Sequence, residues 1–227
     1  MKPKTIGIVG GAGPFAGARL FEQILINSNR QYGCYRDVDY PQVLVISFPF
    51  SDMLSTQKDD DLLRKELRGC LNLLRQQGAA VLAIACNTLH NFLDANENFE
   101  DLIQLPSVLE NEFRSEEIPL VLCTSTSRLY KLHRNFFMCN YPTPAIQAQV
   151  DAIIDRILQG AENLSIVKDL LKVIEEVTAS TIVLGCTELS LFMKELAVST
   201  KRIVDPLEIL ARKLLEKSFA DRGEKCF

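Results

Sequence analysis

The strongest constraint in this sequence is a motif that occurs twice. Ala83-Ile84-Ala85-Cys86-Asn87-Thr88-Leu89-His90 is echoed by Val183-Leu184-Gly185-Cys186-Thr187-Glu188-Leu189-Ser190, one hundred positions later. Each copy is an apolar, strand-type run that ends in cysteine and passes through hydroxyl or amide residues into a helical pattern. One buried cysteine at a strand end is an ordinary core residue. Two in matching contexts point to a duplicated active-site half. A strand that stops at cysteine and turns into a helix sets the thiol beside free backbone N–H groups, whose dipoles favour the thiolate. Asn87, Thr88 and Thr187 are also of the types that cap helix N-termini.

The rest of the chain alternates around these corners. Thr5 to Val9 is a short apolar strand that runs into Gly10-Gly11-Ala12-Gly13-Pro14, after which Ala16 to Asn29 carries helical periodicity. Gly11 and Gly13 let backbone N–H groups approach a bound anion, or else make a tight strand-to-helix turn; Pro14 suits a first helical turn. A dinucleotide site is not indicated, because no ribose-binding acid ends the second strand, Val43 to Phe48. Lys58 to Gln77 is an amphipathic helix, and Ala79 to Ala85 the strand that delivers Cys86. This βαβαβ order predicts a parallel sheet with ligands bound beyond the carboxyl ends of its strands. The Gly loop, the Pro49 loop and Cys86 should therefore converge.

The second half repeats the first in outline. Leu120 to Cys123 is a strand ending in Thr124-Ser125-Thr126-Ser127, a hydroxyl cluster suited to a carboxylate. Phe136 to Cys139 is a candidate short strand, and helices over 145–159 and 165–178 follow. Ser180 to Leu184 delivers Cys186, and Asp205-Pro206 opens a closing helix to about Ala220.

Composition removes whole classes of function. A net charge of −4 leaves no basic field for nucleic acid. No apolar run reaches the length of a membrane span. Seven cysteines without C-x-x-C spacing, behind an N-terminus that does not resemble a signal peptide, are expected as reduced thiols in the cytoplasm. With only two histidines, His90 and His133, a His-rich metal site is excluded and no metal is expected. The expected partner is a small molecule. Two thiols facing one carbon suit removal of a proton from one face and delivery to the other, one sulfur as thiolate and its mate as thiol. Asn87, Thr88, Thr187 and backbone N–H groups could hold the charge that builds on a carboxylate.

Four motifs, Gly10-Gly11-x-Gly13-Pro14, Cys86-Asn87-Thr88-x-His90, Gly185-Cys186-Thr187-Glu188 and Asp205-Pro206, give the chain a specific likeness. It resembles the cofactor-independent aspartate/glutamate racemase superfamily, and within it the aspartate racemase branch, over nearly its whole length. The resemblance implies an α/β fold of two pseudo-symmetric domains with mainly parallel sheets and the active site in the cleft between them. Residues 1–105 with 206–227 would form one domain and 106–205 an inserted second. It implies an amino-acid substrate, no pyridoxal phosphate, no metal, and a homodimer. Cys86 and Cys186 would be the acid/base pair. Asn87, Thr88 and Thr187 would hold the α-carboxylate and amine, with Ser125, Thr126 or Ser127 added and Gly11 and Gly13 above. His90 and Glu188 would poise the cysteines from behind. Another superfamily reaction on a small dicarboxylate, isomerisation or decarboxylation, is the neighbouring reading, and a non-catalytic binding protein of the same fold the remote one.

The departures concern specificity. Relatives acting on aspartate carry an arginine after the second strand, where this loop reads Phe48-Pro49-Phe50-Ser51-Asp52-Met53-Leu54-Ser55-Thr56. Phe50 and Met53 stand where that arginine is expected, and Leu158 or Gln159 replaces a family lysine. Aspartate is therefore expected to be a poor substrate and a neutral side chain, apolar or hydroxylated, to be preferred, unless Arg19, Arg64 or Arg128 reaches the pocket.

Overall fold

The computed structural model describes residues 2–53, 57–94, 99–114 and 116–220. Leu54, Ser55 and Thr56 of the altered loop, Cys226, and the end of the first expected domain lie outside the described residues.

Two parallel sheets form the frame. In the first, β1 (Ile6–Gly10), β2 (Val43–Ser47), β3 (Val81–Ile84) and β4 (Leu102–Ile103) lie in the order β2-β1-β3-β4. Ile6 pairs with both Val43 and Val81, which fixes the register about the central strand. The second sheet, in the order β5-β6-β7, comprises β5 (Leu120–Leu122), β6 (Thr181–Leu184) and β7 (Arg202–Val204). The α/β class with parallel sheets is as the sequence predicts. Strands β1, β3 and β6 are buried at every position, which is why they read as continuous apolar runs: helices cover both of their faces. The edge strand β2 is only partly buried.

The helices sort into layers. α1 (Pro14–Tyr32) follows the Gly loop, and α2 (Asp60–Gln76) covers the first sheet with Leu63, Leu67, Leu71 and Leu74. Asp59 caps α2, accepting from the N–H groups of Asp61 and Leu62. α3 (Ser125–Leu129) is one short turn; α4 (Pro144–Leu158) and α5 (Asn163–Glu176) cover the second sheet. After the short α6 (Met193–Leu196), α7 (Pro206–Phe219) comes back against α1, where Phe219 stacks on Tyr32 with ring centroids 4.2 Å apart. Ser218 and Lys4 are joined by two hydrogen bonds, Ser218 Oγ to the Lys4 carbonyl at 2.7 Å and Lys4 N–H to the Ser218 carbonyl at 2.8 Å.

A single central cluster takes Ile6, Ile8, Ala83 and Ala85 from one sheet, Val121, Val183 and Val204 from the other, and Leu207, Leu210 and Leu214 from α7. The two halves share a core, so the ends of β3 and β6 are held to one another. No helix among the described residues is long and apolar enough to cross a membrane.

Local structure differs from expectation at the corners. The sequence predicts a helix after each cysteine, whereas the chain makes 3-10 turns, Thr88–Phe92 and Thr187–Phe192. Thr88, Leu89, His90 and Phe92 are all buried, as are Thr187, Glu188, Leu189, Ser190 and Phe192. With only Asn91 and Leu191 partly exposed, these turns have little solvent face for a 3.6-residue amphipathic period to express. The candidate strand over 136–139 is reduced to a single bridge from Asn140 to Leu120.

Candidate active site

The cysteine corners are crossed. Asn87 Nδ2 donates to the Gly185 carbonyl at 2.9 Å, and Thr187 Oγ1 donates to the Ala85 carbonyl at 3.1 Å. The residue after each cysteine thus grips the residue before the other. All four partners are buried or lie on buried backbone, so each bond contributes about 1 kcal/mol and its loss would strand a carbonyl. A cavity of about 170 Å³ opens between the corners, and both Cys86 and Cys186 line it.

Each wall comes from a different element. The loop after β1 contributes Gly11, Ala12 and Gly13; the corners contribute Asn87, Thr88, Gly185, Thr187 and Glu188; β5 ends in Thr124. Phe50, Ser51, Asp52 and Met53 come from the segment after β2, Ile154 and Leu158 from α4. Phe50, Met53 and Leu158, where a basic residue was expected, thus all face the cavity. Ile154 lies one turn before Leu158 on the same helix face, a spacing that would have pointed to it. None of Arg19, Arg64 and Arg128 lines the cavity; Arg19 pairs with Glu22 on α1.

Glu188 takes the position where the Gly loop was expected to meet an outside anion. Gly13 has φ 77°, and a Cβ there would lie 2.0 Å from Glu188 Oε1, so only glycine lets the loop close over this carboxylate. Glu188 Oε2 lies 3.2 Å from Thr187 Oγ1, whose one proton it shares with the Ala85 carbonyl, and accepts from Cys186 Sγ at 3.9 Å. Burial pushes its carboxyl up to about 7, against the lowering effect of hydrogen bonds from Thr187, the Ala16 backbone and Cys186.

The thiols are correspondingly hard to ionise. Burial pushes Cys86 up to about 12, with the Glu188 carboxylate adding to the rise and the N–H groups of Leu89 and Thr88 opposing it. Cys186 is raised well above the ordinary thiol value, by burial first and Glu188 second. This corrects the expectation that a helix dipole would favour the thiolate. A five-residue 3-10 turn carries little dipole, and desolvation outweighs it.

The hydroxyl cluster divides. Thr88 Oγ1 lies 3.2 Å from Thr124 Oγ1 and 3.1 Å from Ser127 Oγ, closing a ring of three hydroxyls that joins the two halves. Thr88 and Thr124 face the cavity; Ser127 sits buried behind them. Ser125 is held by Asp151, to which its N–H donates at 3.0 Å, and Thr126 Oγ1 reaches the Met53 carbonyl at 3.5 Å. Neither lines the cavity. His90 is also behind the wall. Its Nε2 accepts from the Leu105 N–H at 3.1 Å, so Nδ1 carries the proton and donates to the Cys86 carbonyl at 2.9 Å. Burial pushes it down to about 4, so a neutral imidazole braces the Cys86 backbone.

No protein-family model matches the chain. A curated protein, the broad specificity amino-acid racemase RacX of Bacillus subtilis, is 26% identical over 114 residues, 50% of this chain and 49% of that protein. The match thus spans about half of that relative. Among solved structures, the Picrophilus torridus aspartate racemase superposes with a TM-score of 0.75 at 19% identity, covering 95% of this chain and 94% of that one. An aspartate racemase homologue from Pyrococcus horikoshii gives 0.67 at 21% identity over 96% and 99%. Glutamate racemase from Francisella tularensis, in complex with D-glutamate, gives 0.65 at 13% identity over 100% and 86%. The chain has the fold of the aspartate and glutamate racemases.

Proposed function

We propose that this chain, built on the aspartate/glutamate racemase fold, is an amino-acid racemase whose acid/base pair is Cys86 and Cys186. The observation that carries the reading is that both thiols open on one cavity from crossed, repeated corners. An amino acid bound between them has its α-hydrogen toward one sulfur and the opposite face toward the other. One thiolate takes the proton and the other thiol delivers one, so a turnover inverts the centre and exchanges the roles. The likeness to racemases of this fold and to a broad specificity amino-acid racemase supports the same chemistry.

Burial and Glu188 leave both sulfurs protonated at neutral pH. The substrate changes that: its ammonium brings positive charge into a desolvated cavity, which favours a thiolate beside it. Asn87, which lines the cavity with its amide held to the Gly185 carbonyl, stands beside this ammonium. The Thr88 and Thr124 hydroxyls can turn their protons outward to the α-carboxylate as it gains electron density. The chemistry calls on neither pyridoxal phosphate nor a metal. A distal carboxylate would meet no cation, since no Lys or Arg lines the cavity among the described residues, so aspartate and glutamate are poor substrates.

Exchange of the α-hydrogen in deuterium oxide, read by NMR across a panel of amino acids, tests the reaction without a guess at the product. Cys86→Ala and Cys186→Ala should each abolish interconversion in both directions, and kcat/KM should climb on the alkaline side as a thiol ionises. Full activity in either variant overturns the two-thiol assignment.

A further inference from the structure

Thr124, which lines the cavity at the end of β5, is held from both sides by a single helix. On α4, Gln147 Nε2 donates to the Cys123 carbonyl at 2.7 Å and to Asp151 Oδ1 at 3.1 Å, so both of its N–H groups are used. Asp151 Oδ1 also accepts from the Ser125 N–H at 3.0 Å, and its Oδ2 accepts from the Ser125 hydroxyl. The Cys123 carbonyl belongs to the peptide plane before the Thr124 Cα, and the Ser125 N–H to the plane after it. Pinning both planes fixes the backbone of Thr124, at φ −64° and ψ 152°. The remaining rotation, about χ1, is set by the Ser127 N–H, which donates to Thr124 Oγ1 at 3.1 Å. Neither Gln147 nor Asp151 lines the cavity, although Ile154 and Leu158 on the same face of α4 do.

We propose that Asp151 and Gln147 are positioning residues, a clamp that aims the Thr124 hydroxyl at the α-carboxylate of a bound amino acid. For the carboxylate the inference rests on the racemase reading; for the aim of Thr124 it rests on the bonds of the clamp. A donor held in place before the ligand arrives needs no reordering as charge builds on the carboxylate. Without Asp151 the Ser125 N–H turns to water, the plane after Thr124 is free to rotate, and the hydroxyl must be ordered by the ligand itself. Thr88 keeps its own place in the other half, so the loss is partial. Because the clamp touches neither the cavity nor the cysteines, its effect passes through Thr124 and is confined to the carboxylate end of the ligand.

The test is calorimetric binding of methionine and of methioninol, its analogue with CH2OH in place of the carboxylate, alongside α-hydrogen exchange of methionine. In Asp151→Ala the Kd of methionine should rise about tenfold, the ratio expected when one hydrogen bond to a charged group is misaimed, with methioninol changed less than about twofold. Gln147→Leu, which frees the other plane, should repeat the pattern. A merely structural role for α4 would weaken both ligands together. Asp151→Asn should restore most of the affinity, because its oxygen accepts from the Ser125 N–H and its NH2 donates to the Ser125 hydroxyl. In a Thr124→Ala background, Asp151→Ala should change methionine binding less than about twofold, since the group it aims is gone. Equal weakening of the two ligands, no rescue by Asp151→Asn, or a full tenfold further loss on Thr124→Ala overturns the inference. Should methionine bind without exchanging, its use as a racemase substrate fails while calorimetry still decides the clamp. A parent protein that binds no methionine overturns the inference as well.

Discussion

The corner at Cys86 and the corner at Cys186 are built alike and charged differently. Both follow a buried strand, turn through a 3-10 segment around a fully buried leucine, and send the residue after cysteine across to the opposite carbonyl. Two positions after the cysteine the likeness ends: Thr88 joins a ring of hydroxyls, whereas Glu188 sets a carboxylate against the sulfur. Four positions after it, His90 holds the backbone N–H of Leu105, and Ser190 donates to the Asp205 side chain at 2.7 Å. The two corners share the apolar frame and the crossed bonds and differ in their polar residues. The two thiols are therefore geometrically related but sit beside different polar groups.

Glu188→Gln tests that distinction with the largest expected effect. The carboxylate raises both thiols, so its removal should make them easier to ionise. Alkylation of Cys186 by iodoacetamide at pH 8 should then speed up about tenfold, the gain in thiolate when a thiol pKa falls by about one. The same variant reads out in stability. Glu188 is raised in the folded state, so its contribution is full below the unfolded value near 4.5 and is lost as pH rises through about 7. Glu188→Gln should thus unfold at higher urea than the parent at pH 8, by about 2 kcal/mol, and show little gain at pH 4. An unchanged alkylation rate would make the two corners electrostatically equivalent and break the comparison.

Asn87→Ala and Thr187→Val probe what the corners share. Each leaves a buried carbonyl without its donor and should cost about 1–3 kcal/mol in urea unfolding. Because the bonds lie in parallel between the same two turns, the double variant should cost less than the sum. Strict additivity would show that the crossed bonds act separately.

Ser190→Ala and His90→Asn give the smallest effects and separate the corners by pH. Ser190→Ala should cost about 1 kcal/mol at neutral pH, where Asp205 keeps its bond from the Leu207 N–H, and less in acid, because the Ser190 hydroxyl favours the ionised Asp205 carboxylate. His90 is lowered in the folded state, so its neutral form contributes stability above the unfolded value near 6.5 that is lost as pH falls toward 4. His90→Asn should flatten part of that acid decline; a decline equally steep would assign it to His133, which burial also pushes down, to about 3.

The parts legible in sequence were those whose cause is local. Ile6 to Val9, Val81 to Ile84 and Thr181 to Leu184 are apolar on both faces because both faces are covered, and Gly13-Pro14 opens α1, which runs three residues beyond the expected Asn29. The paired cysteines were legible as a repeat. The 3-10 turns were not, because Thr88 to Phe92 takes that shape only when the second half buries it. Nor was the role of Asn87: its amide turns to Gly185 rather than capping its own turn, a choice made by a chain segment far away. Thr124 was visible as part of a hydroxyl run, yet nothing local marks it, rather than Ser125, as the residue facing the cavity.

The contact between Gly13 and the Glu188 carboxylate has a consequence for how the protein can change over generations. A methyl group at position 13 would occupy the space of Oε1, so the two positions are bound as one heritable unit. Replacing Gly13 alone is blocked by a side chain from the other half. Shortening position 188 first clears the space but gives up the carboxylate beside Cys186. Even then alanine at a φ of 77° carries a residual penalty of about 1 kcal/mol. Mutational routes to a new specificity are thereby steered away from the loop after β1 and toward Phe50 to Met53 and the exposed turn of α4, where substitutions can accumulate one at a time.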